Sequence, residues 1–310
     1  MAVPALEVVV VHHRTPTLLA RTLESLAAHR PDAPVLVVDT ALDPSLPQQL
    51  DGAHPSLRWC PAANHSYAHA VNVGLKRTRA PLIAVMNADV EVRARTLLDL
   101  IAPFEDASVA LTGPLARTPE GGLQDQGIPY RWHVARLRWA SRRAQSTAPA
   151  APVAAVSVPW LSGCLMVVRR DAVARFGGMD GALRFFNEDV EWAQRFRDGG
   201  DRCVLVATEV LHVGGAATPP DGRFLVEGLR GGYALTRRHR PRWLRAAHRW
   251  GVAGYAALAG LAARDPDHRA TWAEVRRRFV HADLDAAPFG PTLDAPLTPA
   301  VRSPNAPAAR

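Results

Sequence analysis

The sequence predicts an α/β fold: a doubly wound, mostly parallel sheet with helices on both faces, followed by a C-terminal helical extension. Three observations predict it. Continuous apolar runs alternate with amphipathic stretches over residues 6–104, as expected of strands buried on both faces of a parallel sheet. The connections are short, which implies right-handed crossovers within one sheet. Polar residues recur just beyond the apolar runs, where open sheets of this class bind ligands.

The elements follow in order. Val8 to Val11 is the first strand, and Thr15 to His29 carries Leu18, Leu19, Thr22, Leu23 and Leu26 at helical spacing until Arg30-Pro31 stops it. Val35 to Val38 is a second strand ending at Asp39, and Leu57 to Cys60 a short third. A helix is expected over Tyr67–Arg77, a strand over Leu82–Met86, and a helix from about Ala94 to Phe104. Beyond Leu111 the pattern loosens, and Ala140 to Ala155 has little to bury and reads as a mobile loop. Order returns at Val158–Val168, with short helices at Asp171–Phe176 and Glu188–Arg197, and a strand at Cys203–Ala207 leading to His212. Helices rich in Arg, Trp and Ala fill Gly222–Val280. Residues 1–220 are thus one α/β domain, residues 221–281 a helical extension, and the Pro- and Ala-rich residues 282–310 a frayed, disordered tail.

Composition narrows the function classes. With 48% apolar and 21% charged residues, a chain of 310 can bury a sizeable core, which excludes wholesale disorder. No apolar run reaches the roughly 18 residues of a membrane span, Gly251–Ala263 being the longest candidate. The N-terminus has no basic start followed by an apolar stretch, so a secretory signal is not expected and a cytoplasmic location is. Cys60, Cys164 and Cys203 are far apart and odd in number, a pattern of buried, inert thiols and not of disulfides or a thiolate metal site.

The net charge is +8, and Lys76 is the only lysine. Arg237, Arg238, Arg240, Arg242, Arg245 and Arg249 form one acid-free cluster, and Arg131, Arg136, Arg138, Arg142 and Arg143 another. Such clusters are read as solvated faces, as contacts with anionic lipid head groups or a diphosphate-bearing acceptor, or as nucleic-acid sites. The last needs aromatics interleaved with the arginines, and only Trp243 and Trp250 flank the main cluster, so no nucleic-acid partner is expected.

The strand-end residues are His12-His13-Arg14, Asp39-Thr40, Asn87-Ala88-Asp89 and His212. A single Asp there is more often a turn former or helix cap; the recurrence points to a ligand. The glycine fingerprint of dinucleotide folds and the Gly-rich loop of P-loop enzymes are both absent after the first strand, which argues against a dehydrogenase and an ATPase. A bound nucleotide would need side chains and a metal on its diphosphate.

The stretches VVVVHHRTPTLLARTLESL, PVLVVDT, NHSYAHAVNVGL, PLIAVMNADVEV, WLSGCLMVVRRDAVARFGGMD, FFNEDVEWAQRFRDGG and LHVGGAAT occur in this order over residues 6–218. Together they resemble the family-2 glycosyltransferases of the GT-A fold, in particular their bacterial rhamnosyltransferase-like branch. The resemblance implies a GT-A domain over 1–220, with a nucleotide-binding half to about 110 and an acceptor half after it. It implies metal-dependent, inverting transfer from a nucleoside-diphosphate sugar, dTDP-rhamnose or a UDP-sugar, to a cell-surface glycan or lipid-linked acceptor. Peripheral contact with the inner face of an anionic membrane would then follow from the basic helices. A non-catalytic, sugar-nucleotide- or glycan-binding relative is the alternative.

Residue by residue, Asp89 matches the second acid of the family's Asp-x-Asp signature, with Asn87 in the first position. It and His212 would hold Mg²⁺ or Mn²⁺, hard cations that complete their shells with diphosphate oxygens and water. Asp189 matches the catalytic base. One base and one metal suffice for a single displacement, because the cation neutralises the departing diphosphate and no second acid is required. Glu188 would be a helix N-terminal acid, or a neighbour raising the Asp189 pKa by like charge. Asp39 matches the residue that hydrogen-bonds the pyrimidine ring and Asn72 a nucleotide-contacting position, with His12, His13 and Asn87 expected in the same nucleotide pocket; Trp160 to Gly163 match the acceptor-side segment, where Glu188 is also expected. Ser66, Thr40 and the His12-His13 pair depart from the family's usual Gly, Asn and Tyr-Asn, departures that bear on the nucleobase pocket more than on the chemistry.

Overall fold

The structure, a computed structural model, describes residues 5–124, 139–140, 142–143, 153–215 and 221–290. Strands β1 (Leu6–His12), β2 (Val35–Asp39), β3 (Leu57–Pro61) and β4 (Leu82–Asn87) lie in the order β3-β2-β1-β4, all parallel. Helices α1 (Pro16–His29) and α3 (Tyr67–Arg77) make crossovers between them, and a short α2 (Leu46–Gln49), not expected from the sequence, follows β2. Strand alternation sorts the core into two layers. Val8, Val10, Val35 and Val37 pack with Leu19, Leu23 and Leu26 of α1 on one face. Val9, Leu36 and Val38 pack with Ala68, Val71 and Leu75 of α3 on the other. Gly74 lets α3 approach the sheet, since a Cβ there would stand 2.3 Å from Cγ1 of Val9.

Beyond β4 the sheet becomes mixed. β8 (Leu165–Arg169) runs antiparallel to β4 and to β6 (Val109–Arg117), and β9 (Arg202–His212) returns parallel to β6. The two-residue β5 (Val90–Glu91) and β7 (Ala155–Ser157) pair antiparallel with β9. The sequence reading missed most of β6 because Gly113 and Pro114 interrupt it, and the register shifts between Gly113 and Leu115 as at a β-bulge. Within the ordered stretch expected over Val158–Val168, the strand is Leu165–Arg169. The helix expected from Ala94 is α4 (Thr96–Ile101), entered through Arg95 at φ 68° and closed by a 3₁₀ turn over Ala102–Glu105 that contains Pro103. The expected loop at Ala140–Ala155 and the arginines 131, 136 and 138 lie almost wholly outside the described residues.

The later helices are α5 (Arg170–Phe176), α6 (Glu188–Asp198), α7 (Gly222–His239), α8 (Arg242–Ala262) and α9 (Pro266–His281). The last three share a small core of Val226, Ala253, Ala256, Val275, Phe279 and Leu284. Part of the expected tail is folded. Leu284 and Ala287 are buried and Phe289 packs on Phe185 and Phe224, while residues 291–310 lie outside the described residues. The three cysteines form no disulfide and are buried, and burial pushes the Cys203 thiol up to about 12, as expected of an inert thiol.

Candidate active site

Register collects the strand-end residues. His12 pairs with Asp39 across β1 and β2, Val11 with Asn87 across β1 and β4, and Val90 with His212 across β5 and β9. Beyond these ends opens a cavity of about 860 Å³ whose walls include His13, Asn87, Asp89, Trp160, Gly163, Glu188, Asp189 and His212. Three expected residues do not line it. The buried His12 donates from Nδ1 to Asp39 Oδ1 at 2.9 Å and accepts the Thr15 N–H on Nε2 at 3.0 Å. Asp39 also accepts the backbone N–H groups of Ala41 and Asp43. Asn72 bridges the Met179 backbone, accepting its N–H at 2.9 Å and donating to its carbonyl at 2.8 Å. All three side chains are occupied in holding loops beneath the cavity. His13 does face it, with Nδ1 on the Thr40 hydroxyl at 3.1 Å, and burial beside Arg14 holds its pKa below the usual imidazole value.

On one part of the wall, Asp89 Oδ2 accepts the Gly214 N–H at 3.0 Å, and its Oδ1 stands 3.3 Å from His212 Nε2. Gln124 fixes the imidazole: its amide donates to the His212 carbonyl at 3.1 Å, and its oxygen faces His212 Nδ1 at 2.6 Å. The ring hydrogen is therefore on Nδ1, and Nε2 presents a lone pair beside a carboxylate oxygen. Asn87 Nδ2 reaches the same nitrogen at 3.3 Å. Two lone-pair donors converging in this way suit a divalent cation, with the outer partner orienting the histidine as second-shell groups do at metal sites. Among the described residues no three His, Cys, Asp or Glu side chains gather as metal ligands, so a cation here would need substrate oxygens and water as well.

Elsewhere on the wall, α6 starts at Asn187 in the left-handed conformation, φ 69°, which asparagine tolerates. Asp189 in its first turn accepts the Gly163 N–H on Oδ2 at 2.9 Å and the Val190 N–H on Oδ1. Burial raises its pKa against these backbone bonds. Glu188 is only 8% exposed, and its Oε2 has no hydrogen-bond partner among the described residues. Burial, with the Asp189 charge second, pushes Glu188 up to about 8. Both carboxyls of the pair are thus shifted upward, by burial first and, for Glu188, by the neighbouring Asp189 charge second.

Comparison with known proteins gives the family. The family model described as Glycosyl transferase family 2 matches residues 7–176. The chain belongs to that family. It is 30% identical, over 264 residues covering 76% of this chain and 84% of the relative, to the N-acetylglucosaminyl-diphospho-decaprenol L-rhamnosyltransferase of Mycobacterium tuberculosis. Among solved structures, GalNAc-T7 with UDP, GalNAc and Mn²⁺ superposes with a TM-score of 0.62 at 14% identity, over 94% of this chain; the match spans 59% of that longer chain. The mannosyltransferase PcManGT from Pyrobaculum calidifontis, in complex with GDP-Man and Mn²⁺, gives 0.58 at 18% identity, covering 92% of this chain and 87% of its own. The fold is the expected GT-A arrangement, and the protein is a glycosyltransferase.

Several residues of this glycosyltransferase site were not legible beforehand. Tyr67, at the start of α3, lines the cavity and donates to the Gly163 carbonyl at 2.7 Å, so Gly163 is held from both its N–H and its C=O. The helical extension buttresses the loop before α6. The buried Glu227 of α7 accepts the Arg184 N–H at 2.9 Å and pairs with Arg230, which donates to the Ala182 carbonyl. Asn187 donates to the Gly228 carbonyl at 2.9 Å, and a Cβ on Gly231 would stand 2.8 Å from Asn187 Nδ2. A side chain there would displace the Asn187 amide.

Proposed function

We propose that the protein transfers an L-rhamnosyl unit from dTDP-rhamnose, with a UDP-sugar as the second donor class, to a sugar on a polyprenyl diphosphate, with inversion at the anomeric carbon. The observation that carries this reading is the presence in one cavity of the Asp89–His212 pair and the Asp189 carboxylate. The 30% identity to a rhamnosyltransferase named for a lipid-linked acceptor supports the choice of substrates. Asp89 and His212 would hold Mn²⁺ or Mg²⁺, which supplies positive charge to the leaving diphosphate. Asp189, as the carboxylate, takes the hydrogen of the acceptor hydroxyl. The Gly163 N–H keeps the carboxylate oriented, and Trp160 offers a flat face to a sugar ring. A single displacement inverts the configuration.

A lipid-linked acceptor requires access to a membrane, and no helix of the described residues is long and apolar enough to cross one. Surface attachment through α8 is part of the same proposal. Trp243, Trp250, Leu258 and Leu261 are 68%, 53%, 68% and 84% exposed. They recur near whole turns of the helix and so share one face. Arg242, Arg245 and Arg249 lie on the same helix, which holds no acid. An exposed apolar stripe on a helix that carries arginines and no acid suits the surface of an anionic bilayer, and the reaction would take place at the inner face of the cell membrane.

The test is incubation with dTDP-rhamnose, Mn²⁺ and an N-acetylglucosaminyl-diphospho-prenol, with the product followed by mass spectrometry and its anomeric configuration by NMR. The expected product is the acceptor plus one deoxyhexose, absent in EDTA. Release of nucleotide unaffected by acceptor, or retention of anomeric configuration, would overturn the reading.

A further inference from the structure

Four phenylalanines stand at this cavity, more apolar ring surface than a nucleotide and two sugars call for. Phe185 and Phe186 precede Asn187, Phe224 begins α7, and Phe289 arrives from the segment after α9. Their rings pack edge-on or tilted at centroid distances of 4.9 to 6.2 Å, and all four line the cavity. Phe186 keeps 48% of its surface exposed. Two cations share this wall. Arg184 lies next to Phe185, and the Arg223 guanidinium sits 5.2 Å from the centre of the Phe289 ring. Asp221 engages Nε and Nη2 of Arg223, which among the described residues leaves the Nη1 hydrogens for a ligand.

We propose that Phe185, Phe186, Phe224 and Phe289, together with Arg184 and Arg223, form a subsite for a prenyl diphosphate, the lipid end of the acceptor. The inference rests on the lipid-linked acceptor of the proposed function and assigns residues to it. The chemistry fits in sequence outward from Asp189. The reacting hydroxyl of the acceptor sugar meets the base, the diphosphate on its anomeric carbon meets the arginines, and the first isoprene units lie on the rings. Apolar rings beside guanidinium groups match an anion carrying a hydrocarbon chain, and the subsite is continuous with the catalytic cavity.

Isothermal titration in EDTA, which removes the cation from the donor side, tests the subsite without any turnover. Farnesyl diphosphate should bind at least about tenfold tighter than inorganic diphosphate to the unaltered protein. Phe186→Ser, at an exposed position, should remove about tenfold of that preference while leaving inorganic diphosphate unchanged, and Arg223→Gln should weaken both ligands. Trp250→Ser on α8 should change neither. Equal binding of the two diphosphates, including no measurable binding of either, overturns the proposal, as does a preference that survives Phe186→Ser or is lost in Trp250→Ser. A failure of the functional reading shows elsewhere, as missing sugar transfer in the incubation with dTDP-rhamnose.

Discussion

The Asp189 carboxylate accepts the backbone N–H of Gly163 at 2.9 Å, and this bond joins the first turn of α6 to the segment that carries Trp160. The carboxylate is thereby oriented by a rigid donor that cannot take its charge away. Asp189→Asn keeps the size and one oxygen acceptor but removes basicity. Turnover should fall by about 10²- to 10⁴-fold, with donor affinity near that of the unaltered protein. Measuring both on one preparation decides the role: persistent turnover, or donor binding lost together with turnover, would show that Asp189 is not the base.

Glu188 makes stability depend on pH. Its pKa rises from 4.5 to about 8 through burial and the Asp189 charge. Between these values the unfolded chain has released the proton and the folded protein retains it, so stability falls as pH rises through that window and levels off above it. Glu188→Gln cannot ionise and should escape the loss. The variant should match the unaltered protein near pH 4 and melt several degrees higher at pH 9, since for a chain of this size 1 kcal/mol moves Tm by about 2–4 °C. Parallel melting curves at all pH values would assign the Glu188 proton elsewhere.

Gln124 holds the hydrogen of His212 on Nδ1. Gln124→Leu removes that partner without touching either proposed ligand. Mn²⁺ affinity in the presence of nucleoside diphosphate, read by electron paramagnetic resonance titration, should weaken by about 10- to 100-fold, and Asp89→Ala should abolish the cation dependence of nucleotide binding. Identical titrations for Gln124→Leu and the unaltered protein would remove Gln124 from the site.

Asn72 separates a structural role from a binding one. Its amide satisfies both the N–H and the C=O of buried Met179. Asn72→Ala strands these groups at a cost of about 1–3 kcal/mol each where they stay dry. Urea unfolding should therefore shift to lower concentration while the donor KM stays unchanged. A raised donor KM at unchanged stability would return Asn72 to the nucleotide pocket.

The contrast between Asn72 and Asp89 shows what the sequence could convey. The parallel half was legible because Val8 to Val11, Val35 to Val38 and Leu82 to Met86 are uninterrupted apolar runs, and because a strand end fixes where the next residue stands. Asn87, Asp89 and His212 could be placed for that reason. Whether a side chain turns into the cavity or under it depends on one partner far away in sequence. His12 finds Asp39 and Asn72 finds Met179, and no local pattern signals either pairing. β6 was hidden by its own Gly113-Pro114. Phe289 lay in a stretch whose Pro and Ala content reads as tail, and only its packing on Phe224 brings it to the cavity.

The exposed stripe on α8 carries the last prediction. Burying Trp243, Trp250, Leu258 and Leu261 in a bilayer surface supplies apolar contact, and each nearby arginine adds about 1 kcal/mol on an anionic membrane. Attachment should be reversible and should weaken as salt screens the arginines over a Debye length of about 8 Å at physiological ionic strength. Sedimentation with phosphatidylglycerol-containing vesicles at low salt should carry the protein into the pellet, and vesicles of phosphatidylcholine alone should carry much less. Trp250→Ser with Leu261→Ser should reduce binding without lowering Tm, because both side chains are exposed in the folded protein. Activity on a short, water-soluble acceptor should be indifferent to the pair. If the double variant sediments as the unaltered protein does, or if the unaltered protein stays in the supernatant with anionic vesicles, α8 is not the membrane contact.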